Sequence, residues 1–274
     1  MKLASLQHGR DGRLVVVSRD LTRATDAFPI VPTLQAALDD WERLAPRLAD
    51  LAVALEHGSV PSFRFHEHDC AAPLPRAYGR LVLARPGAGL APARSGGALG
   101  PREPVRAVDE AAGLVAEAGL AVIAGDVPAR AAPAEAAGLI RLVMLGCRVM
   151  ETKGTAGEAG QPGREVAFSF SPVVVTQDEI GPAWRDGGLD LPLLCRINQQ
   201  PLQRAHATGA VDARSLLAQA AERDALQAGT LLAWPVAMPQ EQPLRFGDTV
   251  RIEMKDVAGH SIFGAIEQEI LPTG

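Results

Sequence analysis

The apolar residues of this chain come in short runs closed off by glycine or proline, among them Leu3 to Leu6, Leu14 to Ser18, Leu120 to Ile123, Val166 to Thr176 and Thr230 to Trp234. Runs of this length suit strands, and the turn residues between them stop a helix from propagating. The 27 Gly and 21 Pro among 274 residues exceed the usual shares of about 7% and 5%. They are spread along the chain, and the 47% hydrophobic content supports a full core, so a globular protein of one large or two modest domains is expected. No apolar run approaches the roughly 18 residues of a membrane span. Met1-Lys2-Leu3 leads into polar Gln7-His8-Gly9-Arg10 rather than the hydrophobic region of a signal peptide, which predicts a cytoplasmic protein with no membrane contact.

Two segments break the strand pattern. After Pro32, Thr33 is positioned as an N-cap, and Leu34, Ala37, Leu38, Trp41, Leu44, Leu48, Leu51 and Leu55 recur at helical spacing. Pro46 interrupts this stripe, which predicts two helices or one kinked there. Asp212 caps a second helix running to about Leu226. Val108 to Ala118 reads as helical or irregular, and Ala134 to Leu145 as a helix starting after Pro133. The C-terminus reads as strands, with Asp248 to Met254 and Ser261 to Ile266 joined through Asp256 and Gly259. The glycine-rich stretch 86–101 reads as a mobile loop, and 153–164 as a second glycine-rich loop before the strand that starts at Val166. The sum is an α+β chain dominated by mixed sheet.

The balance of 27 Lys+Arg against 32 Asp+Glu, a net charge of −5, carries no electrostatic footprint for nucleic acid. Cys70, Cys147 and Cys195 lack CxxC spacing, so they read as reduced, mostly buried thiols. His66 and His68, two residues apart beside Asp69 and Cys70, would share one face of a strand. Without a distant third ligand they read as an exposed polar linker. Ser215 and Ser261 have no Gly-x-Ser-x-Gly context, and the glycine-rich stretches hold neither a P-loop nor a strand-GxGxxG-helix pattern.

Several blocks, taken in order, resemble the fumarylacetoacetate hydrolase family. They are Ala72-Pro73-Leu74-Pro75-Arg76-Ala77-Tyr78, Gly100-Pro101-Arg102-Glu103, Gly125-Asp126-Val127-Pro128, Phe170-Ser171-Pro172 with Val173 to Thr176, and Gly247 to Met254 with Ser261 to Glu269. The resemblance implies a small N-terminal α/β domain, about residues 1–70, followed over 71–274 by a mixed β-roll, assembled as a homodimer. It also implies chemistry on a 1,3-dicarbonyl or 2-oxo acid held by Mg²⁺, Mn²⁺ or Ca²⁺ on acidic side chains, with water activated by a His and Glu pair.

Residue by residue, the resemblance does not carry that metal site over. The first acid of the family's Glu-x-Glu motif matches Glu117, whereas the second position is Gly119. The family's Asn-Asp pair reads Cys147-Arg148, its Gly-Thr reads Ala233-Trp234, and the segment supplying its catalytic His is missing after Tyr78. One carboxylate retains a hard cation weakly, so no metal or other cofactor is expected, with Mg²⁺ as the alternative if Asp109, Glu110 or Glu151 supply the ligands. Glu117 is the candidate catalytic acid. Arg148 is the candidate anchor for a small carboxylate ligand, or pairs with Glu117 and plugs the site. Cys147, next to Arg148, would become reactive if the guanidinium lowered its thiol pKa, the alternative being an inert buried Cys. Two functions follow: a non-catalytic binding or assembly partner, with a repurposed metal-independent enzyme as its close variant, or a Mg²⁺-dependent acylpyruvate-type hydrolase.

Overall fold

The computed structural model describes residues 1–83, 89–93, 97–152, 163–185, 187–206, 211–236 and 243–274. In chain order the elements begin with β1 (Lys2–Leu6), β2 (Arg13–Val17), β3 (Arg23–Asp26), α1 (Leu34–Leu38), α2 (Trp41–Glu56), β4 (Phe63–Arg64), β5 (Gly79–Leu83), β6 (Leu90–Pro92) and β7 (Val105–Ala107). There follow β8 (Leu114–Ala124), α3 (Pro133–Leu139), β9 (Ile140–Glu151), β10 (Arg164–Phe170), β11 (Val173–Val175), α4 (Gln177–Ile180), β12 (Trp184–Arg185) and β13 (Gly188–Leu189). The chain closes with β14 (Pro192–Ile197), β15 (Gln203–His206), α5 (Ala213–Ala220), β16 (Thr230–Pro235), β17 (Thr249–Lys255) and β18 (Ser261–Pro272).

An 11-stranded sheet runs β4-β3-β2-β1-β11-β9-β8-β16-β5-β6, with β10 also paired to β9, and a 5-stranded sheet runs β15-β14-β17-β18-β7. Parallel pairing of β16 with β5 and of β18 with β7 makes both sheets mixed. The α+β class expected from the sequence is the class observed. The sheets face one another across a core in which Leu120, Val122 and Leu145 meet Leu193, Ile252 and Phe263. On the far face of the large sheet, Leu34, Leu44, Leu48 and Leu55 of the two N-terminal helices pack with Ile123, Leu142 and Met144. The middle of the large sheet is therefore covered on both sides. The hairpin β1–β2 joins this sheet through β11, with Lys2 opposite Val175 and Ala4 opposite Val173.

Burial on both faces explains where the sequence reading of local structure fails. A strand covered on both sides reads as a continuous apolar run, with no period to separate it from a buried helix. Ile140 to Leu145 therefore opens β9, and α3 stops at Leu139. Val108 to Ala118 contains one short 3-10 turn, Glu110–Ala112, before β8 begins, so Glu117 lies on a strand. The N-terminal helical segment does divide in two, but at Asp39-Asp40 rather than at Pro46. Pro46 lies in the second turn of α2 on its exposed side, and the helix runs through it without the backbone bond a residue there would make to the Glu42 carbonyl. Val166 to Thr176 is broken at Ser171-Pro172 into β10 and β11, and α5 ends at Ala220. Thr33 and Asp212 cap as expected, accepting from the backbone N–H groups of Ala36 and Arg214. Of the two glycine-rich stretches, residues 86–88, 94–96 and 153–162 lie outside the described residues, while Leu90–Pro92 forms β6 against β5.

Candidate functional site

Strand register brings the two candidate residues together. In the β8–β9 ladder Glu117 stands opposite Arg148, and Gly119 stands opposite Gly146. Because side chains alternate along a strand, all four positions share one face, the face that Phe168 of β10 joins opposite Arg148. Arg148 donates through Nε at 2.9 Å and through Nη2 at 2.5 Å, both to Oε2 of Glu117. The arginine side chain is 11% exposed and that of Glu117 34%, so the guanidinium depends on this carboxylate more than the carboxylate depends on it.

Two glycines explain how closely the surroundings pack. A Cβ on Gly119 would lie 2.1 Å from the backbone oxygen of Trp234 and 3.0 Å from Cα of Pro235, so no rotamer could relieve the contact. A Cβ on Gly146 would meet the Phe168 ring at 2.9 Å, and that ring stacks on Phe170 with centroids 4.5 Å apart. Between Glu117, Arg148, Phe168 and Pro235 there remains a cavity of about 10 Å³, at most one water's worth of space. Trp234 itself is buried among the residues between the sheets.

A hard divalent cation needs six or more oxygens at about 2.0–2.6 Å. Here the one carboxylate at the position is already held by a guanidinium, Gly119 has no room for a second acid, and the cavity is too small for a hydrated ion. The residues present do not fit a metal. The alternative ligands serve elsewhere: Asp109 accepts from the Ala111 N–H, Glu110 from the Phe246 N–H, and Glu151 pairs with Arg164. Among the described residues no three His, Cys, Asp or Glu side chains cluster as a metal site. All six histidines are exposed, and none lines the cavity beside Arg148.

The remaining sequence candidates separate in space. His66 and His68 are not on a strand; they flank and join a 3-10 turn, Glu67–Asp69, and point to solvent. Glu67 between them is bound by Arg102 at 2.5 Å and accepts from the Ala265 N–H. Cys147 alternates to the face opposite Arg148, and burial pushes its thiol pKa up, so the guanidinium does not activate it. Burial likewise raises Cys70, and Cys195 to about 11. The Glu117–Arg148 contact follows from the charge swap legible in the sequence. The reason for Gly119 is not legible there, because it depends on the path of β16, about 115 residues further on; the one local signal is a glycine facing a glycine across two otherwise apolar strands.

Two sheets packed face to face around a closed centre, one of them backed by helices, define the fold class. The chain matches the fumarylacetoacetase N-terminal domain 2 over residues 1–76 and the fumarylacetoacetate (FAA) hydrolase C-terminal domain over residues 92–270, and it belongs to the fumarylacetoacetate hydrolase family. The fold resembles that of maleylpyruvate hydrolase from Sphingobium sp. SYK-6, at 19% identity, TM-score 0.74 and full coverage of both chains, which has also been solved with manganese(II) and pyruvate. It also resembles 2-hydroxyhepta-2,4-diene-1,7-dioate isomerase from Mycobacterium marinum, at 16% identity and TM-score 0.62, covering 100% of this chain and 99% of that one. A fumarylacetoacetate hydrolase from Exiguobacterium antarcticum aligns over the whole of both chains at 14% identity and TM-score 0.64. No curated protein sequence matches this one. Among the described residues no helix is long and apolar enough to cross a membrane.

Proposed function

We propose that this chain is a family member that works without a metal at the Glu117–Arg148 position and serves as a non-catalytic binding or assembly component, as a homodimer. The observation that carries this reading is the closed pair itself: the guanidinium holds the carboxylate a cation would need as a ligand, and about 10 Å³ is left beside it. The same volume argues against the variant in which Arg148 anchors a 2-oxo acid, since even a three-carbon acid needs several times that space. Arg148 and Glu117 on this reading are structural partners, each neutralising the other's charge in a half-buried place.

A second reading, a Mg²⁺- or Mn²⁺-dependent hydrolase of acylpyruvate-type substrates, draws support from family membership and from the manganese and pyruvate complex of the Sphingobium protein. Calorimetric titration of metal-free protein with Mn²⁺ and Mg²⁺, run beside an acylpyruvate hydrolysis assay, separates the two. The closed-pair reading expects neither heat nor turnover. Micromolar metal binding, with turnover that Glu117→Ala abolishes, would establish the hydrolase instead. Sedimentation of the same sample measures the dimer.

A further inference from the structure

At one edge of the large sheet β4 pairs with β3 so that Arg64 stands directly opposite Arg23. The Phe65 N–H donates to the Thr22 carbonyl at 2.9 Å, which makes the neighbouring 22–65 position a hydrogen-bonded pair. The 23–64 position is therefore a non-hydrogen-bonded one, where facing Cα atoms approach to about 4.5 Å and side chains lie closest. Like charges placed there repel. Among the described residues neither guanidinium is hydrogen-bonded or ion-paired. One charge is enough to guard a short edge strand against pairing with another chain; a second, opposite the first, adds repulsion that this role does not need.

Both arginines line an open cleft of about 580 Å³, together with Ser62 and His66. His66 has extended backbone, with φ −129° and ψ 122°, so strand alternation turns it to the same side as Arg64, while Phe65 between them is buried in the core between the sheets. The Ser62 hydroxyl has no hydrogen bond among the described residues. The lining thus offers two guanidiniums, a hydroxyl and an imidazole, and among the described residues no carboxylate lines it. The acids nearest in sequence are engaged elsewhere: Asp20 accepts from the Ser18 hydroxyl and from the N–H and hydroxyl of Thr22, Asp26 pairs with Arg13, and Glu67 with Arg102. Leu21 also lines the cleft, at a φ of 60° that a leucine seldom adopts, and its N–H donates to the Ser18 carbonyl. This wall is therefore fixed by a tight turn before any ligand arrives.

We infer that this cleft binds a small phosphate monoester, its phosphate shared between the guanidiniums of Arg23 and Arg64, with Ser62 and His66 as further donors. A carboxylate would balance one of the two cations, whereas a phosphate monoester carries nearly two negative charges above a pKa of about 6. Its oxygens also suffice for two guanidinium forks at once. The volume is that of a small-molecule site, and β4, at Phe63–Arg64, is too short an edge to take up a peptide as an added strand. The cleft shares no residue with the Glu117–Arg148 position and does not depend on what that position does.

The test is calorimetry and thermal shift on the full chain, at low ionic strength and about pH 7.5, where a phosphate monoester is a dianion. The probes are glycerol 3-phosphate, glycerol and acetate. Glycerol 3-phosphate is expected to bind at least about tenfold more tightly than acetate, and glycerol not at all. Arg23→Gln and Arg64→Gln are each expected to weaken glycerol 3-phosphate by about fivefold or more. Because each removes one of two repelling charges, neither should lower the melting temperature of the free protein. Arg47→Gln, at an exposed position of α2, is the control and should bind like the native chain. Acetate bound as tightly as glycerol 3-phosphate, no binding of glycerol 3-phosphate, native affinity in either cleft variant, a lowered melting temperature in either, or an equal loss in Arg47→Gln would each overturn the assignment.

Discussion

The Glu117–Arg148 contact can be tested by a double-mutant cycle built from Glu117→Leu and Arg148→Met. Two charge-assisted hydrogen bonds reach one carboxylate oxygen, at 2.9 and 2.5 Å. Such bonds are worth about 1.5–3 kcal/mol each when shielded from water, but the 34% exposure of Glu117 calls for a discount toward about 2–3 kcal/mol for the pair. The single variants should not cost the same. Glu117→Leu strands a guanidinium that is 11% exposed and should cost about 3 kcal/mol, near the lower end for a broken buried pair. Arg148→Met leaves a carboxylate that can turn toward solvent and should cost about 1 kcal/mol. The double variant, with both charges gone and similar volume kept, should return to within about 1 kcal/mol of the native chain. Urea unfolding followed by tryptophan fluorescence reads these values, and in a chain of this length each kcal/mol should move the melting temperature by about 2 °C. Single costs that simply add, within about 0.5 kcal/mol, would mean that the pair is not made and that the case for a self-closed site fails.

Two further outcomes follow from the same geometry. Gly119→Ala presses a methyl against the β16 backbone and should destabilise by about 1–3 kcal/mol, whereas Gly138→Ala, in α3 with nothing within 4 Å, should stabilise by up to about 1 kcal/mol; equal effects in urea unfolding would refute the close approach at Gly119. For Glu267, burial alone would raise the pKa, but hydrogen bonds from Arg102 at 2.6 Å and from Arg251 overcome it and hold the carboxyl below its ordinary 4.5. A depressed folded pKa gives stability that is present above the unfolded value and lost as pH falls through the folded one. The urea midpoint should therefore decline below about pH 4.5, and Glu267→Gln should flatten that decline; an unchanged pH profile in the variant would remove Glu267 from the account.

Local chemistry made some of this architecture legible in the sequence. Thr33 and Asp212 announce helix starts because an N-cap needs an oxygen at one defined position, and the β17–β18 hairpin is signalled by Asp256 and Gly259 between alternating strands. Glu117 and Arg148 could be matched in advance because a charge reversal at one position leaves its partner in need of a counter-ion. Leu120 to Ile123 reads correctly as part of a strand, but Ile140 to Leu145 resisted reading because β9 is covered on both faces, which erases the periodicity that separates strand from helix. A cleft lined by Lys2, Arg19, Asp190 and His260 was out of reach for a different reason: residues far apart in the chain meet there only after the sheets have formed.

The crowding at Gly119 has a consequence for anyone who would build a metal centre into this scaffold. An acid installed at 119 first collides with the β16 backbone. An acid installed at 148 first sets two carboxylates against each other with nothing to bridge them. Neither substitution helps until the other is present and β16 has moved aside, so a stepwise route crosses two unstable intermediates before any benefit appears. The shortest path in number of mutations is closed to gradual improvement, and a designer would have to redraw Trp234-Pro235 before placing a single ligand.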